Sequence, residues 1–318
     1  MGNPEIKMKA TRDAYGEKLA ELGEKYEDIV VLDADLAKST KTILFGKKFP
    51  KRFFDMGIAE QNMVGTAAGL ALSGKIPFAS TFAVFATGRV YDQLRMSVCY
   101  PKVNVKIAAT HSGLTVGEDG ASHQALEDIA LARALPNMTV VVPCDAVETE
   151  KVVEFAVEYV GPMYIRLGRS KVPVILDPGY KFRLGKGVVL REGKDVSIIA
   201  TGIMVAKSLE AAEVLAQKGI DAEVINMSSI KPLDKELILE SASKTGGVVT
   251  VEEHSIIGGL GSAVCEVLSE NLPVPVERVG VKDVFGESGS AEELLEKYGL
   301  SINDIAAAAE RIILRRQK

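Results

Sequence analysis

The chain has 318 residues, enough for about two domains at the usual ~100–200 residues each, and its 47% hydrophobic content can fill their cores. A net charge of −5 argues against a general nucleic-acid or membrane-surface binder. Cys99, Cys144 and Cys265 lie far apart with no CxxC pair, which fits a reducing cytoplasm and offers neither a disulfide framework nor a metal site.

The N-terminus lacks the apolar stretch of a signal peptide, so a cytoplasmic protein is expected. A first helix is predicted over 11–22 and a strand over 29–32. Between residues 38 and 52 six basic residues occur with no acidic one, which reads as a solvated face or as a contact for an anion or acidic partner. A helix over 59–72 follows, beginning with Glu60 and otherwise almost wholly apolar and small. Burying a carboxylate there costs several kcal/mol unless it is paired. A first-turn Glu favoured by the helix dipole is the plain alternative, worth roughly 0.3–1 kcal/mol. The run 61–88 carries one charge, Lys75, but Gly74 and Pro77 interrupt it, so it reads as a helix and then a buried strand rather than a membrane span.

The pattern continues with strands over 76–81, 103–110, 139–143 and 163–167 and helices over 84–97, 124–134 and 146–158. Phe82 and Phe85 fall where a strand runs into a helix, as core packing or as a wall for a flat heterocycle. Two of the three histidines, His111 and His123, bracket one loop with Asp119, after a strand and before a helix. Ligands bind at that edge of an open α/β sheet, and two imidazoles with a carboxylate can move protons there near neutral pH.

Residues 170–186 hold Pro173, Pro178, Gly179 and Gly185 with little periodicity and read as a connection, giving domains over 1–175 and 187–318 with a linker over 176–186. Beyond it, strands are expected over 195–200, 222–227, 248–251 and 274–279, and helices over 205–217, 233–241, 261–268, 291–298 and 302–314. Alternating strands and helices imply two doubly wound α/β domains with mostly parallel sheets. Gly258-Gly259-Leu260-Gly261 lacks dinucleotide-fingerprint spacing and reads as a turn before a helix, with an anion site as the alternative.

Four motifs in order carry a resemblance: Asp33-Ala-Asp35-Leu-Ala-Lys-Ser39, Phe54-Asp-Met-Gly-Ile-Ala-Glu60-Gln61-Asn62-Met63, Thr81-Phe82-Ala-Val-Phe85 and Gly117-Glu-Asp119-Gly-Ala-Ser-His123-Gln. Together they resemble transketolase, over the whole chain but only over the family's pyrimidine-binding and C-terminal domains. The resemblance implies transfer of a two-carbon ketol unit from a ketose phosphate to an aldose phosphate with thiamine diphosphate. Glu60 would hydrogen-bond N1′ of the aminopyrimidine, Phe82 and Phe85 would pack on that ring, and Asp35 would lie near the cofactor at a subunit interface. Asp119 and His123 would face the donor sugar, and Arg12, Ser39, His111 and Arg169 would hold the substrate phosphate. Where the family has a third aromatic the chain has Gly88, and Arg89-Val-Tyr91-Asp92-Gln93 is closer to deoxyxylulose-phosphate synthase, which gives that packing to Tyr91.

The resemblance also points to something missing from this sequence. The family holds the diphosphate through magnesium (or calcium) with a Gly-Asp-Gly motif followed by an Asn, and Gly117-Glu-Asp-Gly does not match it. This implies a split enzyme in which an N-terminal transketolase subunit carries the Gly-Asp-Gly…Asn motif and the metal, with two copies of each chain (α2β2). Alternatives are a deoxyxylulose-phosphate synthase-like subunit, the β subunit of a 2-oxoacid dehydrogenase, a catalytically silent scaffold or regulatory subunit, and a nucleotide-binding oxidoreductase. The sugar-phosphate residues and intact Glu60, His111, Asp119 and His123 favour transketolase.

Overall fold

In the computed structural model, which describes residues 7–316, the chain is mixed α/β with two main parallel sheets. Among the described residues the strands are β1 (Met8–Ala10), β2 (Ile29–Asp33), β3 (Phe53–Asp55), β4 (Ile76–Phe82), β5 (Lys106–Thr110), β6 (Thr139–Val141), β7 (Met163–Arg166), β8 (Lys171–Pro173), β9 (Val188–Arg191), β10 (Val196–Ala200), β11 (Ala222–Asn226), β12 (Ser229–Lys231), β13 (Val248–Ser255) and β14 (Val276–Val281).

The larger sheet runs β12-β6-β7-β5-β4-β2-β3, with every pair parallel except β12–β6. β2 and β5 are buried at every residue, as strands covered on both faces must be. Helices Thr11–Lys25 and Ala146–Glu158 pack together on one face, with Tyr15, Leu19, Phe45, Phe78 and Val153 in the shared core. Helix Glu60–Leu72 covers the other, placing Met63, Val64 and Ala67 against Leu32, Ala79 and Ile107. The smaller sheet runs β14-β13-β10-β11-β9 with β9 antiparallel, flanked by Met204–Gln217 and Ile302–Arg316 on one side and Lys235–Thr245 and Leu260–Asn271 on the other.

Three departures from the sequence reading bear on the site. The helix expected over 84–97 is broken into Ala83–Thr87, a turn at 88–90, Tyr91–Gln93 and a π-helical segment, Leu94–Cys99. The connection at 170–186 is pinned to the first domain. β8 pairs antiparallel with β1, and Asp145 Oδ2 accepts from the amides of Ile175 and Leu176, both at 2.8 Å. Finally, β12 comes from beyond that connection yet lies on β6, so the second half of the chain completes the first half's sheet. These short strands (β1, β8 and β12 have three residues each) are too brief to show a period.

Candidate active site

Because β2, β3, β4, β5 and β7 run parallel, their carboxyl ends open on one edge. Asp35 follows β2, Glu60 follows β3, Phe82 ends β4, His111 follows β5 and Arg169 follows β7. Residues scattered over 135 positions of sequence therefore gather at one edge of the sheet, where ligands bind in folds of this kind.

Glu60 opens its helix, but it is not a solvated first-turn carboxylate: it is only 6% exposed. Its partner is Arg89, whose Nη1 donates to Oε1 at 2.7 Å. The Arg89 guanidinium also lies over the Phe85 ring, with Cζ 4.0 Å from the centroid. Phe82 and Phe85 are nearly parallel, 13° apart with centroids 6.0 Å apart. His111 stacks on Phe82 at 3.7 Å, and His123 meets Phe85 edge-on at 5.4 Å. An aromatic shelf with two imidazoles thus adjoins the buried carboxylate.

The two histidines differ. His111 is buried, with a φ of 56°. Arg12 Nη1 donates to its Nε2 at 3.0 Å, which leaves Nδ1–H to donate to Thr110 Oγ1 at 2.9 Å. Burial first, then the positive charge of Arg12 and Arg169, pushes its pKa down to about 3, so the ring is neutral at physiological pH. His123 is half-buried and bonds Ser122 through Nδ1 at 2.8 Å, and its Nε2 has no hydrogen-bond partner among the described residues. Its outer nitrogen is the one available to a ligand.

Arg12, Ser39 and His111 come together directly, since Arg12 Nη1 also donates to the Ser39 carbonyl at 3.1 Å. Arg12 Nε is buried without a hydrogen-bond partner among the described residues, as a site built for an oxyanion would leave it. Arg169 bonds the Val116 carbonyl, and Glu118 and Asp119 lie 3.6 Å from its Nη1. Asp119 is exposed and turned to Arg169. Asp35 is also exposed, held at φ 62° with its amide on Asp55 Oδ1 at 3.1 Å. The Tyr91 hydroxyl donates to the Leu131 carbonyl at 3.2 Å, and the residue packs on the core.

Several residues that shape this edge of the sheet were given no role from the sequence. Asp33 accepts from Thr40 Oγ1 at 2.6 Å, Thr42 Oγ1 at 2.8 Å and the Leu36 amide at 2.7 Å, fixing the turn that carries Asp35 and Ser39. Burial pushes its carboxyl up to about 6 against those bonds. Gln124 Nε2 reaches the carbonyls of Leu114 and Glu287, tying the histidine loop to residues 286–288. From the second sheet, Glu253 Oε1 accepts the Thr115 amide at 2.6 Å and sits against Gly113, where any Cβ would collide with the carboxyl group. Arg166 grips Asp128 through Nε at 2.8 Å and the Glu253 carbonyl through Nη2 at 3.0 Å, locking both sheets beneath the same loop.

The glycine turn at 258–261 is filled from within. Glu252 accepts the amides of Leu260 at 2.7 Å and Gly261 at 2.8 Å, so the chain's own carboxylate takes the anion position at that helix start. Half of the basic run of 38–52 makes internal contacts. Arg52 stacks on Phe49 at 4.1 Å and donates to Gly23 and Tyr26 carbonyls, while Lys41 and Lys48 pair with Asp13 and Glu24. Among the described residues no helix is long and apolar enough to cross a membrane.

With this geometry in view, comparison with known proteins defines the class. A family model described as "Transketolase, pyrimidine binding domain" matches residues 7–174, and one described as "Transketolase, C-terminal domain" matches 185–305. The chain belongs to the transketolase family. It is 54% identical over 301 residues to a Methanocaldococcus jannaschii protein provisionally named a transketolase C-terminal section, covering 94% of each. It is 47% identical over 305 residues to a 6-deoxy-6-sulfo-D-fructose transketolase subunit of a Clostridium species, covering 96% of this chain and 95% of that one. A solved structure described as a split gene transketolase, inactive beta4 tetramer, superposes with a TM-score of 0.90 at 62% identity, covering 96% of this chain and 98% of that chain.

Proposed function

We propose that this chain is the pyrimidine-binding and C-terminal subunit of a split, thiamine-diphosphate-dependent transketolase, transferring a two-carbon ketol unit between sugar phosphates. The observation that carries this reading is the buried Glu60 carboxylate beside the Phe82–Phe85 shelf. An aminopyrimidine fits that pair, since it offers a flat face to the rings and a ring nitrogen to the carboxylate. When bound, thiamine diphosphate supplies the nucleophilic carbon that carries the ketol unit.

The chain's own residues would then divide the work. Glu60 shares a proton with the pyrimidine nitrogen, for which a carboxylate shielded from water is suited. His123 exchanges protons with the sugar through its outer nitrogen. His111, held neutral, and Arg12 contact the sugar phosphate with Ser39 and Arg169, the guanidinium being matched to a phosphate oxygen pair. Asp119 leaves Arg169 to meet donor hydroxyls when the phosphate arrives. Asp35 lies at the exposed edge toward a partner.

We infer that the diphosphate and its magnesium or calcium are held by a Gly-Asp-Gly…Asn motif on a second, N-terminal subunit, as relatives of this chain's own length suggest. We infer an assembly of two copies of each chain, at work in sugar-phosphate metabolism in the cytoplasm. The relatives that span the same two domains and carry the words section, subunit and split gene support a two-chain enzyme. A sulfosugar donor is the second reading, favoured by the Clostridium relative alone.

The test is Glu60→Gln. It is expected to keep the thermal transition and partner binding of the wild type while lowering ketol transfer by at least about 100-fold, the usual worth of a positioned proton-transfer group. Turnover within a few-fold of wild type would contradict the assignment.

A further inference from the structure

Glu60 does not face an empty crevice. One side chain touches both groups that the proposed function gives to the aminopyrimidine: Arg89 donates to the Glu60 carboxylate at 2.7 Å and its Cζ lies over the Phe85 ring, 4.0 Å from the centroid. A guanidinium and an aminopyrimidine protonated at N1′ share the relevant chemistry, being planar and conjugated and presenting an N–H to the carboxylate. Arg89 therefore answers the carboxylate and the ring face in the same way as the ligand would.

The local fold makes this contact and also makes it reversible. Arg89 sits in the turn at 88–90, where the expected continuous helix is interrupted. Gln61 Nε2 holds the Arg89 carbonyl at 2.9 Å, so the backbone is anchored to the Glu60 helix while the side chain reaches across. The Arg89 side chain is 50% exposed and the Glu60 side chain 7%. The arginine can thus swing into water with little cost to itself, whereas the buried carboxylate needs a partner whenever it leaves.

We propose that Arg89 is a placeholder for the aminopyrimidine. It satisfies Glu60 and covers Phe85 in the chain by itself, and cofactor binding displaces it. The inference rests on the thiamine reading of the same site. It gives Arg89 a definite effect: it competes with the cofactor and lowers apparent affinity, so its removal strengthens binding. A residue that bound the cofactor directly would act in the opposite sense.

The experiment uses the full chain with 4-amino-2-methylpyrimidine as probe, titrated by NMR, on wild type, Arg89→Ala and Arg89→Lys, each first checked for an unchanged thermal transition. Freeing the buried carboxylate and the ring from a half-exposed arginine is expected to tighten binding in Arg89→Ala about 3- to 30-fold. Arg89→Lys, which keeps the charge but loses the flat face, is expected between the two. In the wild type the Arg89 Nε–H resonance should shift and sharpen as the probe saturates. Equal or weaker binding by Arg89→Ala, or an Arg89 resonance unmoved at saturation, would overturn the proposal while leaving the thiamine reading intact. No binding by any of the three would contradict the thiamine reading, and this proposal with it.

Discussion

His111 begins the loop that Glu253 holds through the Thr115 amide, and burial pushes their pKa values in opposite directions. His111 is driven toward about 3, and Glu253 is driven up to about 7 against the pull of Arg166 and the Thr115 amide. A raised carboxyl pKa means that the folded chain keeps a proton the unfolded chain has released. Its contribution to stability is therefore full below about 4.5 and is lost as pH rises to about 7. His111 works in the other sense, costing stability as pH falls below about 6.5, so the two slopes oppose each other. Glu253→Gln isolates the first. The stability of wild type relative to this variant should fall by on the order of 3 kcal/mol as pH rises from 4.5 to 7, then stay flat. A difference independent of pH would show that Glu253 does not titrate there. His111 was legible in the sequence because two of three histidines shared a loop, but Glu253 was not, because its partner Thr115 lies 138 positions away.

At the scale of elements, periodicity found the long strands and helices and missed what happens at their ends. The strand at 248–251 was expected, but β13 continues to Ser255. That extension carries Glu252, Glu253 and His254, all buried. A polar run of this kind reads as a loop in sequence, and its burial depends on partners elsewhere. Glu252 takes the Leu260 and Gly261 amides, and Gly259 is glycine because a Cβ there would collide with that carboxylate. Glu252→Ala leaves two buried amides without an acceptor and should destabilise the chain by about 2–4 kcal/mol in a denaturant titration. A loss below about 0.5 kcal/mol would mean the helix start is satisfied in another way. The broken helix over 84–97 has a similar lesson. Its apolar spacing is helical throughout, yet the turn at 88–90 is what brings Arg89 to Glu60.

Across the whole molecule, the crossing of β12 onto the first sheet and the Arg166 bridge to Glu253 make the second half a support for the histidine loop. Alternation of strands and helices sufficed for the fold class, because buried parallel strands write themselves as continuous apolar runs. The site needed more. Glu60 and the histidine loop stood out by composition, while the absence of a diphosphate motif emerged only against the family pattern. The most direct test is ketol transfer from xylulose 5-phosphate to ribose 5-phosphate, measured for the chain alone and while titrating in a partner subunit that carries a Gly-Asp-Gly…Asn motif, with thiamine diphosphate and magnesium present. The predicted result is no transfer by the chain alone and activity that rises with partner until the two are equimolar. Robust transfer by the isolated chain would contradict the split-subunit reading.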